Sequence, residues 1–381
     1  MSPEAGAVRL FGERYGREPE GVWRAPGRVN FIGEHTDYND GFALPFAIGT
    51  GVCVAAATRE DGVVAFSSRQ YGEGVVTVSP GALAPGALGG WAAYPAGVVW
   101  ALRSAGHRVG GASLAVDADL PTGAGLSSSA ALECATGLAL AELYRLALPR
   151  PELAALGRRA ENDFVGVPCG LMDQLAVLLG QAGHALLLDC RAGTGTPVPL
   201  DPAAAGLALL LIDTRARHEL TDGGYAARRR ACEDAARVLG VRSLREITEV
   251  SELDALGDPV LRRRARHVVS ENRRVLEVAG LLRAGQLDRV GALLTASHAS
   301  LRDDFEVSWP EADAAVEACL QAGALGARMT GGGFGGSVIA LAPAAAAAGV
   351  TGAVTDVFGR RGWRAPVIMP AQPAQGAARL R

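Results

Sequence analysis

Read along the chain, the apolar positions change their spacing several times. Residues 1–20 set apolar side chains at helical intervals among charged ones, which predicts an amphipathic helix. GVWRAPGRVNFIGEH (21–35) then alternates small or apolar residues around a Pro-Gly turn, and GTGVCVAAATRE (49–60) reads as a buried strand. The Gly- and Pro-rich stretch 74–90 reads as loop around short strands, and ASLAVDADLP (112–121) as a further strand. PTGAGLSSSAALECATGLALAELYRL (121–146) is a Gly-rich turn opening a long helix, with Ser residues in the capping region. Two more helices are predicted over PELAALGRRAENDFVG (151–166) and LMDQLAVLLG (171–180).

HALLLDCR (184–191) and LALLLIDT (207–214) are short apolar runs bounded by breakers, which suits central strands. Residues 223–301 are helix-rich, and RMTGGGFGGSVIAL (328–341) is a Gly loop followed by a strand. The Ala run 344–348 and the tail after Pro366 are low-complexity and take no functional reading. The whole is mixed α/β in two halves, with a boundary near 180–205. Two halves also suit 381 residues, too many for one ordinary core.

Composition narrows the function. Hydrophobic residues are 49% of the chain and charged ones 20%, enough apolar material for a large core. A net charge of −3 argues against a nucleic-acid partner, which would call for surplus positive charge. All 37 basic residues are Arg, so Schiff-base, general-base and P-loop lysines are excluded. The 6 cysteines form no C-x-x-C pair and read as reduced thiols rather than disulfides or a zinc site. The first 16 residues lack the apolar stretch of a signal peptide, and the uncharged runs 74–102 and 329–355 are broken by Pro and Gly. The expectation is a soluble, cytoplasmic protein without a membrane partner.

Three glycine loops carry the candidate chemistry. In TGAGLSSSAALE (122–133), Gly123 and Gly125 allow a sharp turn that points backbone N–H groups inward, and the following helix aims its positive end at the same place. Ser127, Ser128 and Ser129 sit there, with no acidic residue before Glu133, which suits a polyphosphate and a metal-binding hydroxyl. An ordinary N-capped helix would look similar. In TGGGFGGSVIAL (330–341), Gly331, Gly333 and Gly336 satisfy G-x-G-x-x-G, with Asp356 downstream, but a strand follows where a dinucleotide fold would open a helix. That loop reads as a close approach to a ligand or to another backbone, or as a tight turn. APGRVNFIGEHTDYNDG (25–41) gathers Arg28, Asn30, Glu34, His35, Asp37, Tyr38, Asn39 and Asp40, a set able to cradle a polyol; a lone His makes zinc a poor fit. The Arg runs at 228–230 and 262–266 read as solvated helix faces.

In this order the three loops resemble those of the GHMP kinases, and APGRVNFIGEHTDYNDG resembles the signature of the galactokinase branch. AENDFVGVPCGLMDQLA (160–176), GGYAARRRACE (223–233) and SHASLRDDFEVSWPE (297–311) share that likeness. The resemblance implies an α/β (α+β type) two-domain fold with the active site in the inter-domain cleft. It further implies an N-terminal domain over 1–190, holding the sugar signature and the phosphate loop. The C-terminal domain, 191–381, would hold the third Gly motif, with its last strand returning to the first domain.

The implied roles fall on specific residues. Gly123, Ala124, Gly125, Leu126, Ser127, Ser128 and Ser129 would wrap the phosphates of ATP, and Ser129 with Glu161 would hold Mg²⁺. Asp173 would take the proton from the sugar's anomeric hydroxyl, with Arg28 beside it. Glu34, His35, Thr36, Asp37, the Gly170 backbone and Tyr225 would bind galactose. His107, His218 and His267 are left as structural. No obligate protein partner is implied. The rivals are a sister kinase for N-acetylgalactosamine, a non-catalytic sensor of galactose and ATP, and a mevalonate- or homoserine-type kinase. An intact Ser127–Ser128–Ser129 run with Asp173 opposes the sensor, and the 25–41 segment opposes the last.

Overall fold

The computed structural model describes residues 1–72, 74–121, 125–216 and 221–381, with the side chains of Thr221 and Asp222 left aside. The first helix, Pro3–Tyr15, starts where the Ser2 hydroxyl accepts the Ala5 N–H and stops at Gly16, whose φ of 67° ends the helical path. It covers one face of a six-stranded sheet. Sheet order is Ala378–Arg379, Gly21–Asn30, Pro45–Arg59, Gly111–Ala118, Val64–Ser68, Val76–Val78. All neighbours are antiparallel except Val64–Ser68 against Gly111–Ala118.

The turn expected at Pro26-Gly27 is instead an irregularity inside one strand, Gly21–Asn30, whose register against Pro45–Arg59 shifts between Pro26 and Arg28. A Cβ on Gly27 would stand 2.5 Å from the Leu120 side chain and 2.9 Å from the Leu126 carbonyl. The missing side chain therefore lets the phosphate loop lie against this strand, and the Arg28 N–H donates to Leu126 O at 3.2 Å.

The helix predicted over 151–166 is also interrupted. It runs as Arg150–Arg159 and widens into a π-helical turn, Ala160–Val165, that buries Glu161. Helices Ser128–Leu143 and Met172–Leu179 pack inside, the first nearly all Ala, Leu and small residues. HALLLD forms the middle strand of a three-stranded sheet, His184–Asp189 between Phe42–Ala43 and Thr194–Pro199. That hairpin crosses position 190 while staying on the first half's sheet.

The second half is built on a four-stranded antiparallel sheet, Gly326–Thr330, Ser337–Pro343, Leu207–Asp213, Val367–Pro370, covered by helices such as Gly291–Asp303 and Pro310–Gln321, with Thr221–Leu239 packed on Pro259–Arg283. The low-complexity C-terminal stretch has a structural job. The Ala run leads into helix Ala347–Arg361, which buries Val350, Val354 and Phe358. The tail supplies one strand to this sheet and then one to the first sheet, beside Trp23. Among the described residues three apolar cores result: a small one under the first helix around Phe11, and two large ones, of which the larger joins Trp23, Phe31 and Phe66 of the first half to Val275, Leu282 and Leu294 of the second. Among the described residues no helix is long and apolar enough to cross a membrane.

Candidate active site

Seven of the residues picked out above line one cavity of about 150 Å³ between the halves: Arg28, Glu34, His35, Asp37, Gly170, Asp173 and Tyr225. Gly331 and Gly332 of the third Gly loop close it from the second half. At its floor, Arg28 Nε donates to Asp173 Oδ1 at 2.8 Å and Nη2 to Oδ2 at 2.9 Å, a forked pair that fixes the carboxylate plane. The third guanidinium nitrogen donates to Gly125 O at 2.6 Å, which ties the phosphate loop to the same pair.

Ser127 was expected among the capping residues. It takes a left-handed conformation (φ 58°), makes no side-chain cap, and donates its hydroxyl to Asp173 Oδ2 instead. Leu126 is buried, so only its backbone can meet a ligand. Gly123 and Ala124 lie outside the described residues, as does His218.

The sugar-signature loop is shaped by its own polar side chains. His35 sits at φ 62°, with Nδ1 2.9 Å from the Tyr38 hydroxyl and Nε2 3.2 Å from Gly332 O. Burial, aided by His267 nearby, pulls its pKa down to about 3, so the ring is neutral at ordinary pH. The Asp37 carboxyl goes the other way, up to about 6, through burial and then repulsion from Asp173. Gly170 carries no side chain because a Cβ there would stand 1.7 Å from Asp37 Oδ2. Thr36 corrects an expectation: it is wholly buried, its hydroxyl bonded to Gly33 O (2.9 Å) and Phe42 O (2.7 Å). Its side chain braces the loop rather than facing the cavity.

Glu161, singled out in the sequence, lies near Asp173 in a buried acidic group with Glu133 and Gln174, company that the sequence did not announce. Gln174 Nε2 donates to Glu133 Oε2 at 3.1 Å and to Glu161 Oε2 at 3.0 Å. Glu161 also hydrogen-bonds with Ser129 and accepts from Cys169 Sγ at 3.3 Å. Burial raises both glutamic acids, repulsion from Glu161 adding at Glu133 and repulsion from Asp173 adding at Glu161, and Glu133 Oε1 has no hydrogen-bond partner. Hard oxygen donors, surplus negative charge and the Ser129–Glu161 contact fit Mg²⁺, an ion that keeps several waters and leans on phosphate oxygens. Among the described residues no set of three acidic, His or Cys side chains forms a metal cage.

A second cavity of about 160 Å³ adjoins Ser128 and Ser129 and is walled by Tyr71, Trp91, Tyr94, Leu120 and Leu132. Tyr71 and Trp91 stack with centroids 5.8 Å apart and planes at 9°. Sequence reading passed over both; the signal was two large aromatics on either side of the Gly- and Pro-rich stretch 74–90. It also misread the Arg runs in part, because Arg264 is buried, donating to Asp304 O at 2.5 Å and pairing with Glu306.

Three family models match successive segments of the chain. The galactokinase galactose-binding signature matches residues 9–58, the GHMP kinases N terminal domain 93–181 and the GHMP kinases C terminal model 278–359. A galactokinase from Streptomyces coelicolor is 50% identical over 99% of this chain and 98% of its own length. The chain belongs to the galactokinase family. A galactokinase from Mycobacterium tuberculosis is 48% identical over 94% of this chain and 98% of its own. The crystal structure of Lactococcus lactis galactokinase complexed with galactose superposes with a TM-score of 0.92 at 35% identity, covering 99% of both chains. A mevalonate kinase structure, at TM-score 0.66 and 17% identity over 92% of this chain and 98% of its own, shares the fold alone. Family membership makes this an ATP-dependent sugar kinase of the two-domain GHMP fold.

Proposed function

We propose that the protein moves the γ-phosphoryl group of ATP to the anomeric hydroxyl of galactose, giving galactose 1-phosphate and ADP. The observation that carries this reading is the Asp173 carboxylate, held by the Arg28 fork and opening onto a cavity of monosaccharide size beside a helix N-terminus. Asp173 takes the hydroxyl proton as the sugar oxygen bonds to phosphorus and the β–γ bridging bond breaks, its electron pair leaving on ADP. Arg28 holds the carboxylate plane through its fork and offers positive charge to the oxygens of the transferring group. Glu34, neutral His35, Asp37 and Tyr225 hold the sugar, Gly170 leaving room for Asp37. Residues 123–129 would wrap the phosphates, and the Tyr71–Trp91 cavity would take the base. Mg²⁺ would be held by Ser129 and Glu161, supplying charge neutralisation at the β- and γ-phosphates. The halves are read as 1–190 and 191–381, and the protein as cytoplasmic and free of an obligate partner.

A coupled ADP-release assay with Mg·ATP and galactose, N-acetylgalactosamine, glucose and mevalonate tests the reading. Release greatest with galactose is expected. Release greatest with another sugar overturns the substrate but not the chemistry, and galactose binding without release points to a sensor.

A further inference from the structure

The sugar loop belongs to the first half of the chain, yet its shape is held from the second. Arg328, on strand Gly326–Thr330, is fully buried and reaches the loop from behind. One terminal nitrogen donates to Phe31 O at 3.1 Å, and the other pairs with Glu34 Oε2. Glu271, on helix Pro259–Arg283, stands 3.9 Å from the same guanidinium. Its Oε1 accepts the Gly33 N–H at 3.0 Å and the Ser297 hydroxyl at 2.6 Å, while Oε2 takes Arg274 Nε at 2.7 Å. Charges alternate along this buried chain, Glu34, Arg328, Glu271, Arg274, so none is left without an opposite neighbour.

The acceptor count on Glu34 has a direct consequence. Oε1 accepts from the Gly331 N–H at 3.0 Å and Oε2 from Arg328, while the Thr330 hydroxyl crowds Oε1 at 3.1 Å and shares its one proton with Asn30 O at 2.9 Å. A carboxylate offers about four lone-pair sites. Groups of the second half take up three of them, one by the shared Thr330 hydroxyl, and the one left is on Oε2 of a residue that lines the cavity. We propose that Arg328, anchored by Glu271, is a positioning residue for sugar recognition. It turns Glu34 so that a single acceptor site, on Oε2, meets one sugar hydroxyl. The proposal rests on the reading of Glu34 as a galactose ligand. It makes a residue far from the signature loop a determinant of how strongly one hydroxyl is read.

The test is equilibrium galactose binding by calorimetry on the full chain, with a set of deoxygalactoses each lacking one hydroxyl. In the parent protein one deletion is expected to cost about tenfold or more in affinity and to lose most of that cost in Glu34→Gln. Arg328→Lys keeps the charge but not the planar fork. It is expected to weaken galactose about tenfold, and to shrink the cost of that same deletion to within about threefold while the other deletions keep theirs. Glu271→Gln keeps acceptors for Gly33 and Ser297, and is expected to act in the same direction more weakly; it decides the matter if Arg328→Lys does not fold. Affinity lost evenly across all the deoxy sugars, or not lost at all, overturns the proposal, since a merely structural role has no reason to single out one hydroxyl. If Glu34→Gln itself leaves the deletion pattern unchanged, the reading of Glu34 fails first and is recognised separately.

Discussion

Arg28 and Asp173, 145 residues apart in sequence, meet as a forked ion pair with contacts of 2.8 and 2.9 Å at the floor of the sugar cavity. The same guanidinium holds Gly125 O, and the same carboxylate accepts from Ser127. One pair thus fixes the distance between the proposed base and the loop that would carry the phosphates.

Asp173→Asn keeps the shape and removes the base. Turnover is expected to fall by about 10²–10⁴-fold in the ADP-release assay, with galactose affinity by calorimetry within a few-fold of the parent. Turnover within tenfold of the parent would contradict the role given to Asp173.

The Asp37 carboxyl titrates at about 6 in the folded, sugar-free protein, above its ordinary 3.8. Between those values the folded chain holds a proton that the unfolded chain has released. Its contribution to stability is therefore complete below about pH 4 and is lost as the pH rises through about 6. Asp37→Asn is expected to raise the melting temperature at neutral pH, by an amount on the order of 2 kcal/mol in stability, with the gain fading toward pH 4. Galactose affinity of the parent should move oppositely, falling below about pH 6 as the acceptor is protonated. Melting curves and calorimetry at several pH values check both, and a pH-independent difference between the two proteins would refute the assignment.

Gly170→Ala pushes a methyl group into Asp37 Oδ2, 1.7 Å away in the unrelaxed structure. Asp37 has to move, so the KM for galactose should rise about tenfold or more while the KM for ATP stays within about twofold. Stability should drop by about 1–3 kcal/mol. Equal changes in both KM values would point to a general loosening of the cleft instead.

Ser129→Ala removes the hydroxyl that contacts Glu161. The Mg²⁺ concentration needed for half-maximal activity is expected to rise several-fold, and Mn²⁺ binding followed by its paramagnetic resonance in the presence of ADP should weaken in step. An unchanged metal titration would remove Ser129 from the set of metal-holding residues.

Much of this site could be read from residue order alone. The 25–41 segment, the Ser127–Ser128–Ser129 run and the CGLMDQ stretch each combine backbone freedom with groups suited to one task, and that combination is local. The main strands and helices were legible for the same reason, since a two- or 3.6-residue period is written in neighbouring positions. Where the reading slipped, a distant contact decided. Pro26-Gly27 bends within a strand instead of turning because the Leu120 side chain and the Leu126 carbonyl fill the space beside Gly27. The Ala160–Val165 turn widens where Glu161 is buried, and Ser127, at the N-cap position, gives its hydroxyl to Asp173 instead of to the helix end.

The sequence by itself determined the elements, their order, the three loops and the residue types available for binding a sugar and a polyphosphate. Tertiary structure alone decided which of those residues touch. Arg328 reads in sequence as one more charge beside a glycine loop, because arginines are ordinarily exposed. Only the packing of the second half against the first buries it and gives it Glu34 and Glu271 as partners. Gln174, Glu133 and the stacked Tyr71 and Trp91 were hidden for the same physical reason. A side chain's task in these places is set by neighbours tens to hundreds of residues away, and local spacing carries no record of them.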